Sequence, residues 1–171
     1  MKKVAVPAPS LKTALARKPR IRLVTNKGAI LLELDAAAAP LTVRSFVYLT
    51  QRGFYNGTVF HRFADLTGQG GNIIQGGDPL TKDAKNREMG GLGGPGYTVP
   101  LEISQLKHEK LAIAMARSQA LDSAGSQFYI CQGPVSFLDG SYAVFGKVIS
   151  GQKAAMGLRQ GDVIKSAKVV K

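Results

Sequence analysis

The chain has 171 residues, 44% of them hydrophobic, and a formal net charge of +12 from 23 basic and 11 acidic side chains. That is the size and composition of one globular domain with a short tail, and it excludes a disordered chain. A single cysteine excludes an internal disulfide framework, two histidines leave little for a metal, and no run of 18 apolar residues offers a transmembrane helix.

The charge is uneven. Residues 1–20 hold Lys2, Lys3, Lys12, Arg17, Lys18 and Arg20 with no acid, so half of the net charge lies there. Pro7, Pro9 and Pro19 and the scarcity of large apolar side chains predict a basic, flexible arm over 1–19, ahead of a folded domain over 20–171. Pro7 cuts Val4-Ala5-Val6 short, so the arm lacks the apolar stretch of a signal peptide, and the expected location is cytoplasmic. A solvated tail is the simplest reading. An anionic partner, nucleic acid or a membrane surface, is the other. The arm has no interleaved aromatics and matches no nucleic-acid recognition module.

Arg20–Thr25 and Ala29–Leu34 read as strands around Asn26-Lys27-Gly28, a hairpin signal with Gly28 suited to positive φ. Pro40 suits the first turn of a helix. Val43, Phe46, Val47 and Thr50 then share one face, and Gly53 closes the helix. Thr58–Phe63 and Asn72–Gln75 read as strands, and residues 76–96, rich in glycine, as loop. Leu111–Ala116 alternates, with Leu111, Ile113 and Met115 on one face and three alanines on the other. Gln127–Gln132 and Ala143–Ile149 are further strands, joined through a turn at Leu138-Asp139-Gly140-Ser141. A short helix over Gly151–Arg159 and a strand over Val163–Val170 follow. Many short strands with glycine-rich turns predict a closed β-barrel or a sandwich, between which the pattern does not choose.

Several motifs lack their context. Gly91-Leu92-Gly93-Gly94-Pro95-Gly96 fits G-x-G-x-x-G but opens no helix, and Gly146-Lys147 is followed by valine. His61 and His108 have no ligand at metal spacing. Ser126, His61 and Asp78 make a triad only on paper. Cys131, in an apolar strand, reads as a small buried hydrophobe.

Other segments belong together. Phe60-His61-Arg62-Phe63, Ile73-Ile74-Gln75-Gly76-Gly77-Asp78, Met115-Ala116-Arg117, Gly125-Ser126-Gln127-Phe128-Tyr129-Ile130, Phe137-Leu138-Asp139-Gly140 and Val144-Phe145-Gly146-Lys147-Val148 occur in this order. The chain over about 20–170 thereby resembles the cyclophilins, peptidyl-prolyl cis-trans isomerases. The resemblance implies a mainly β fold, a closed eight-stranded antiparallel β-barrel capped by two α-helices. It implies no cofactor, and proline-containing peptides and unfolded proteins as partners. Nothing in the sequence demands more than a monomer.

The chemistry fits the residue types. An X–Pro bond prefers trans by only about 0.5–1 kcal/mol, but amide resonance sets a barrier of about 18–20 kcal/mol. A catalyst must favour the twisted amide over both planar forms. A rigid, permanent cation beside the prolyl nitrogen does so. By resemblance Arg62 is that cation, and Gln75 binds the substrate backbone. Phe128 forms the base of the proline pocket, with Ile73 and Leu138 as wall and Tyr129 extending the strand match. Ala116, Arg117 and Ser118 pair with the substrate backbone, and His61 is structural. The same resemblance leaves room for a binding module for proline segments with little turnover.

Three departures stand out. The connection over 64–71 is longer than the family's short proline-containing turn. Its glycines predict a flexible loop, and Asn72 replaces an aromatic that helps form the pocket, so either Leu66 folds in as a substitute or the pocket is more open. Phe137 stands where many eukaryotic members carry a tryptophan that donates to cyclosporin, so weak cyclosporin binding is expected. Tyr142 stands where many have a histidine near the pocket rim.

Overall fold

A computed structural model of the chain describes residues 5–171. Its elements in chain order are β1 (Arg20–Thr25), β2 (Gly28–Leu34), α1 (Pro40–Gln51), β3 (Arg62–Asp65), β4 (Asn72–Gly76), β5 (Ala112–Met115), β6 (Phe128–Cys131), β7 (Val144–Ser150), α2 (Gln152–Gly157) and β8 (Ile164–Val170). All strand pairs are antiparallel, in the order β3-β4-β6-β5-β7-β2-β1-β8. The β1–β2 hairpin turns where expected, with Gly28 at φ +127°, a conformation that side chains with a Cβ avoid.

The closed barrel is corrected to an open, curled sheet: β3 and β8 are its edges and do not pair. The predicted strand over Thr58–Phe63 begins only at Arg62. The reason is local. The Val59 N–H donates to Thr81 Oγ1 at 2.9 Å, and the Thr58 hydroxyl donates back to the Tyr55 carbonyl, so this stretch is tied into turns. A single bridge, Val59 to Val163, is all that joins it to the far edge as strand pairing. Around it, the Phe60 N–H donates to the Asp162 carbonyl and the Ile164 N–H to the Thr58 carbonyl.

Helix α1 starts at Pro40 with no side-chain cap of its own. Glu102, distant in sequence, supplies one: its carboxylate accepts the N–H groups of Leu41 and Thr42 and the Thr42 hydroxyl. The buried face of α1, with Val43, Phe46 and Leu49, joins Ile21, Leu23, Ile30, Leu32, Ile113, Phe128 and Phe145 in the main core. The last carbonyls of α2 are met by Gln132, whose amide donates to the carbonyls of Ala155 and Leu158.

A second, smaller core lies on the other face of the central strands: Ile73, Ala112, Ala114, Tyr129, Cys131 and Val144. The alternation read in 111–116 is the device that separates the two cores. Cys131 is fully buried there, and burial pushes its thiol up to about 12. A thiol reagent is therefore expected to leave the native protein unlabelled and to react only after unfolding. Labelling of native protein at the rate of a free thiol would contradict this placement.

The arm residues 5–19 lie along the domain and are mostly exposed. The Val6 N–H donates to the Pro95 carbonyl at 2.7 Å, the Arg44 guanidinium donates to the Ser10 and Thr13 carbonyls, and Lys18 pairs with Asp35 at 2.7 Å. Lys2 and Lys3 lie outside the described residues. No helix among the described residues is long and apolar enough to cross a membrane.

Candidate active site

Strand register assembles the site. Arg62 on β3 faces Gln75 on β4, Gln75 faces Tyr129 on β6, and Tyr129 faces Ala114 on β5. Residues directly opposite in an antiparallel sheet share a face, so this row lies on the side of the smaller core. Over that face opens a cleft of about 240 Å³ lined by Arg62, Leu66, Ile73, Gln75, Ala116, Arg117, Tyr129, Phe137, Leu138 and Tyr142.

The polar side of the cleft is a relay. The exposed Arg62 guanidinium donates to Gln75 Oε1 at 3.3 Å. The Gln75 amide donates to Gln127 Oε1 at 3.1 Å, and the Gln127 amide to the Gly93 carbonyl at 2.8 Å. Gln75 is thereby oriented from both ends. Arg117 also lines the cleft, with its guanidinium 4.6 Å from the Tyr142 ring centre and donating to the Ser141 carbonyl.

The floor differs from the expectation. Phe128 does not line the cleft. It is fully buried on the opposite face of β6, packed edge-on against Phe46, Tyr55 and Phe60 with centroids 5.3–6.2 Å apart. The next residue, Tyr129, takes the floor. Strand alternation is the whole reason, since neighbouring residues point to opposite faces. Tyr129 is anchored from behind: its hydroxyl lies 2.8 Å from His108 Nε2, and His108 Nδ1 lies 2.8 Å from the Asp139 carboxylate. Burial keeps the Tyr129 phenol well above its ordinary pKa. The backbone N–H of His108, then its ring, holds the Asp139 carboxyl below the usual carboxylate range. Asp139 directly follows the turn over Ser136–Leu138, so the anchor also reaches the wall residues Phe137 and Leu138.

Of the other expected residues, Ile73, Leu138, Ala116, Arg117, Tyr142 and Phe137 all reach the cleft. Ser118 lies instead in a neighbouring cavity of about 780 Å³, whose lining shares Gln75, Ala116 and Arg117 with the cleft. His61 lines neither. Among the described residues its ring nitrogens meet no hydrogen-bond partner, and burial holds it below its ordinary pKa. The paper triad dissolves. The Ser126 hydroxyl donates to the Gly77 carbonyl, and the Asp78 carboxylate accepts the N–H groups of Leu80, Gly91 and Gly93. Asp78 thus ties down part of the glycine-rich stretch read as loop, which also contains 3-10 turns over Pro79–Lys82 and Ala84–Met89. The signal for this was present: aspartate before proline is a helix-capping pattern. His108 and Gln127 had no such local signal, because their partners come from distant segments, whereas Leu66 was already legible as a candidate substitute for the missing aromatic. Among the described residues no group of three metal-ligating side chains converges.

A row of arginine, glutamine and aromatic in a cleft of mixed polar and apolar lining suits chemistry that breaks no bond. A family model described as cyclophilin type peptidyl-prolyl cis-trans isomerase/CLD matches residues 20–171. The chain belongs to the cyclophilin-type peptidyl-prolyl cis-trans isomerases. A Helicobacter pylori peptidyl-prolyl cis-trans isomerase is 38% identical over 156 residues, covering 89% of this chain and 87% of the relative. Peptidyl-prolyl cis-trans isomerase B of Bacillus subtilis is 38% identical over 148 residues, covering 86% and 94%. The crystal structure of a Cryptosporidium parvum cyclophilin type isomerase matches the fold with a TM-score of 0.76 at 27% identity, covering 90% of this chain and 98% of that one. This cyclophilin accelerates cis–trans interconversion of X–Pro peptide bonds.

Proposed function

We propose that the cleft over Tyr129 holds the prolyl ring and that Arg62 stabilises the twisted amide. The observation that carries this is the register-set pairing of Arg62 with Gln75 in a cleft that also presents Leu66, Ile73, Leu138 and Tyr129. In a planar amide the nitrogen lone pair is delocalised into the carbonyl, and rotation to the twisted state localises it on nitrogen. A guanidinium donor placed there strengthens its contact only as the bond twists, which lowers the barrier rather than the ground state. Ile73, Leu66, Leu138 and the Tyr129 ring supply the apolar surface for the proline. Gln75, held by Arg62 and Gln127, presents its amide to the substrate backbone. No covalent intermediate and no proton transfer is needed, and rotation in either direction uses the same contacts.

The substrate class is the proline-containing peptide, including segments of unfolded proteins. Support comes from the Cryptosporidium relative, which has also been crystallised in the presence of the dipeptide Ala-Pro. Exchange spectroscopy of an Ala-Pro peptide is the direct test. The cis and trans signals are expected to exchange far faster with the protein than without it. An exchange rate no higher than the uncatalysed one would overturn the proposal.

Phe137 is 60% exposed at the rim and has no hydrogen to donate. Weak cyclosporin binding follows. Phe137→Trp adds an indole N–H and is expected to tighten cyclosporin by about tenfold, the worth of one hydrogen bond, with peptide turnover kept. Tight cyclosporin binding by the unaltered protein would contradict this role of Phe137.

A further inference from the structure

The connection over 64–71 is not a flexible loop but a self-locked hairpin. The Asp65 carboxylate accepts the N–H groups of Thr67 at 3.1 Å, Gly68 at 2.9 Å and Gly70 at 3.3 Å, and the Thr67 hydroxyl at 3.3 Å. The Thr67 hydroxyl oxygen in turn accepts the N–H groups of Gln69 and Gly71. The Leu66 N–H donates to the Gly71 carbonyl at 3.0 Å, which extends the β3–β4 ladder one step past Asp65 and Asn72. Arg62, Ala64 and Leu66 therefore follow one another at strand alternation. All three face the cleft side, with Ala64 and Leu66 packed on the smaller core and Leu66 in the cleft lining.

We infer that Leu66 is a specificity-determining wall of the prolyl cleft and that Asp65 is the positioning residue that holds it there. The inference rests on the reading of this cleft as the proline site. Leucine at this place closes the β3–β4 side of a cleft that Phe137 and Leu138 also line. It needs a rigid hairpin, because an untethered leucine on a chain with three glycines within five residues would leave the cleft for much of the time. The carboxylate cage removes that freedom. It gathers N–H groups that have no ladder partner, and the same N–H groups, Thr67 first, hold the Asp65 carboxyl below the usual carboxylate range.

The test is steady-state isomerisation of an Ala-Pro peptide by full-length variants, with thermal melts to confirm folding. Leu66→Ala is expected to raise KM about fivefold to tenfold with kcat nearly unchanged, the pattern of lost uniform binding. Asp65→Ala should do the same, and Asp65→Ala combined with Leu66→Ala should add nothing, since both remove one wall. Asp65→Asn keeps the Oδ1 acceptor and should restore a near-normal KM. An unchanged KM in Leu66→Ala would overturn the wall. Asp65→Asn behaving like Asp65→Ala would overturn the positioning role and assign the effect to charge. Arg62→Ala is run alongside: if it too leaves catalysis intact, the reading of the cleft fails rather than the role of the hairpin.

Discussion

Arg62→Ala is expected to lower kcat/KM by about 10²–10³, the loss of about 2.7–4 kcal/mol of transition-state stabilisation that one preorganised donor provides. The melting temperature should hardly move. Arg62 is exposed, and among the described residues it forms no ion pair and makes one side-chain hydrogen bond, to Gln75. Arg62→Lys separates charge from geometry. Lysine restores the cation but lacks the rigid planar fork, so an intermediate rate is expected. A rate for Arg62→Ala equal to that of the unaltered protein would remove Arg62 from the mechanism. Steady-state isomerisation with a chromogenic Ala-Pro peptide measures all three.

Phe128→Ala is the second large effect, and it falls on stability. Its ring is fully buried amid Phe46, Tyr55 and Phe60, so truncation leaves a cavity at the centre of an aromatic cluster. The cost is about 3–5 kcal/mol, a large part of the 5–15 kcal/mol that a domain holds in total. At this size a loss of that order lowers Tm by roughly 6–20 °C. Where the variant remains folded, KM for short peptides should stay near normal, because Phe128 points away from the cleft. Tyr129→Ala should show the reverse weighting, with a larger rise in KM. A melting curve and a KM for each variant decide the matter. Phe128→Ala with an unchanged Tm and a large rise in KM would put the ring in the cleft.

These two neighbours show where sequence reading stops. Phe128 and Tyr129 are both aromatic, both in one apolar strand, and both within the same motif. Only the register of β6 against β4 tells them apart, since it sets Tyr129 opposite Gln75 and Phe128 opposite Gly76. Gly77 marks a similar limit. Its φ of +88° and the Ser126 carbonyl 2.5 Å from where a Cβ would stand explain the second glycine of the Gln-Gly-Gly-Asp run, but that neighbour lies 49 residues away. The connection over 64–71 misled for another reason. Its glycines suggest freedom, whereas a single carboxylate at its start removes that freedom.

Local pattern was sufficient for the elements themselves. Alternation, proline at a helix start and glycine at turns act over a few residues, so the β1–β2 hairpin, α1 and the two faces of β5 were legible from the chain alone. The ordered motifs carried the family and singled out Arg62 and Gln75, which the register of β3 against β4 then set side by side. Even the uneven +12 charge placed half its excess outside the run of motifs, in residues 1–20. Tertiary structure alone decided that the sheet stays open, that Tyr129 lines the cleft, and that His108 and Asp139 stand behind it. Each of these depends on which distant backbone or side-chain group completes a hydrogen bond or shares a sheet face. Such pairings follow from global register, which no short window of sequence contains.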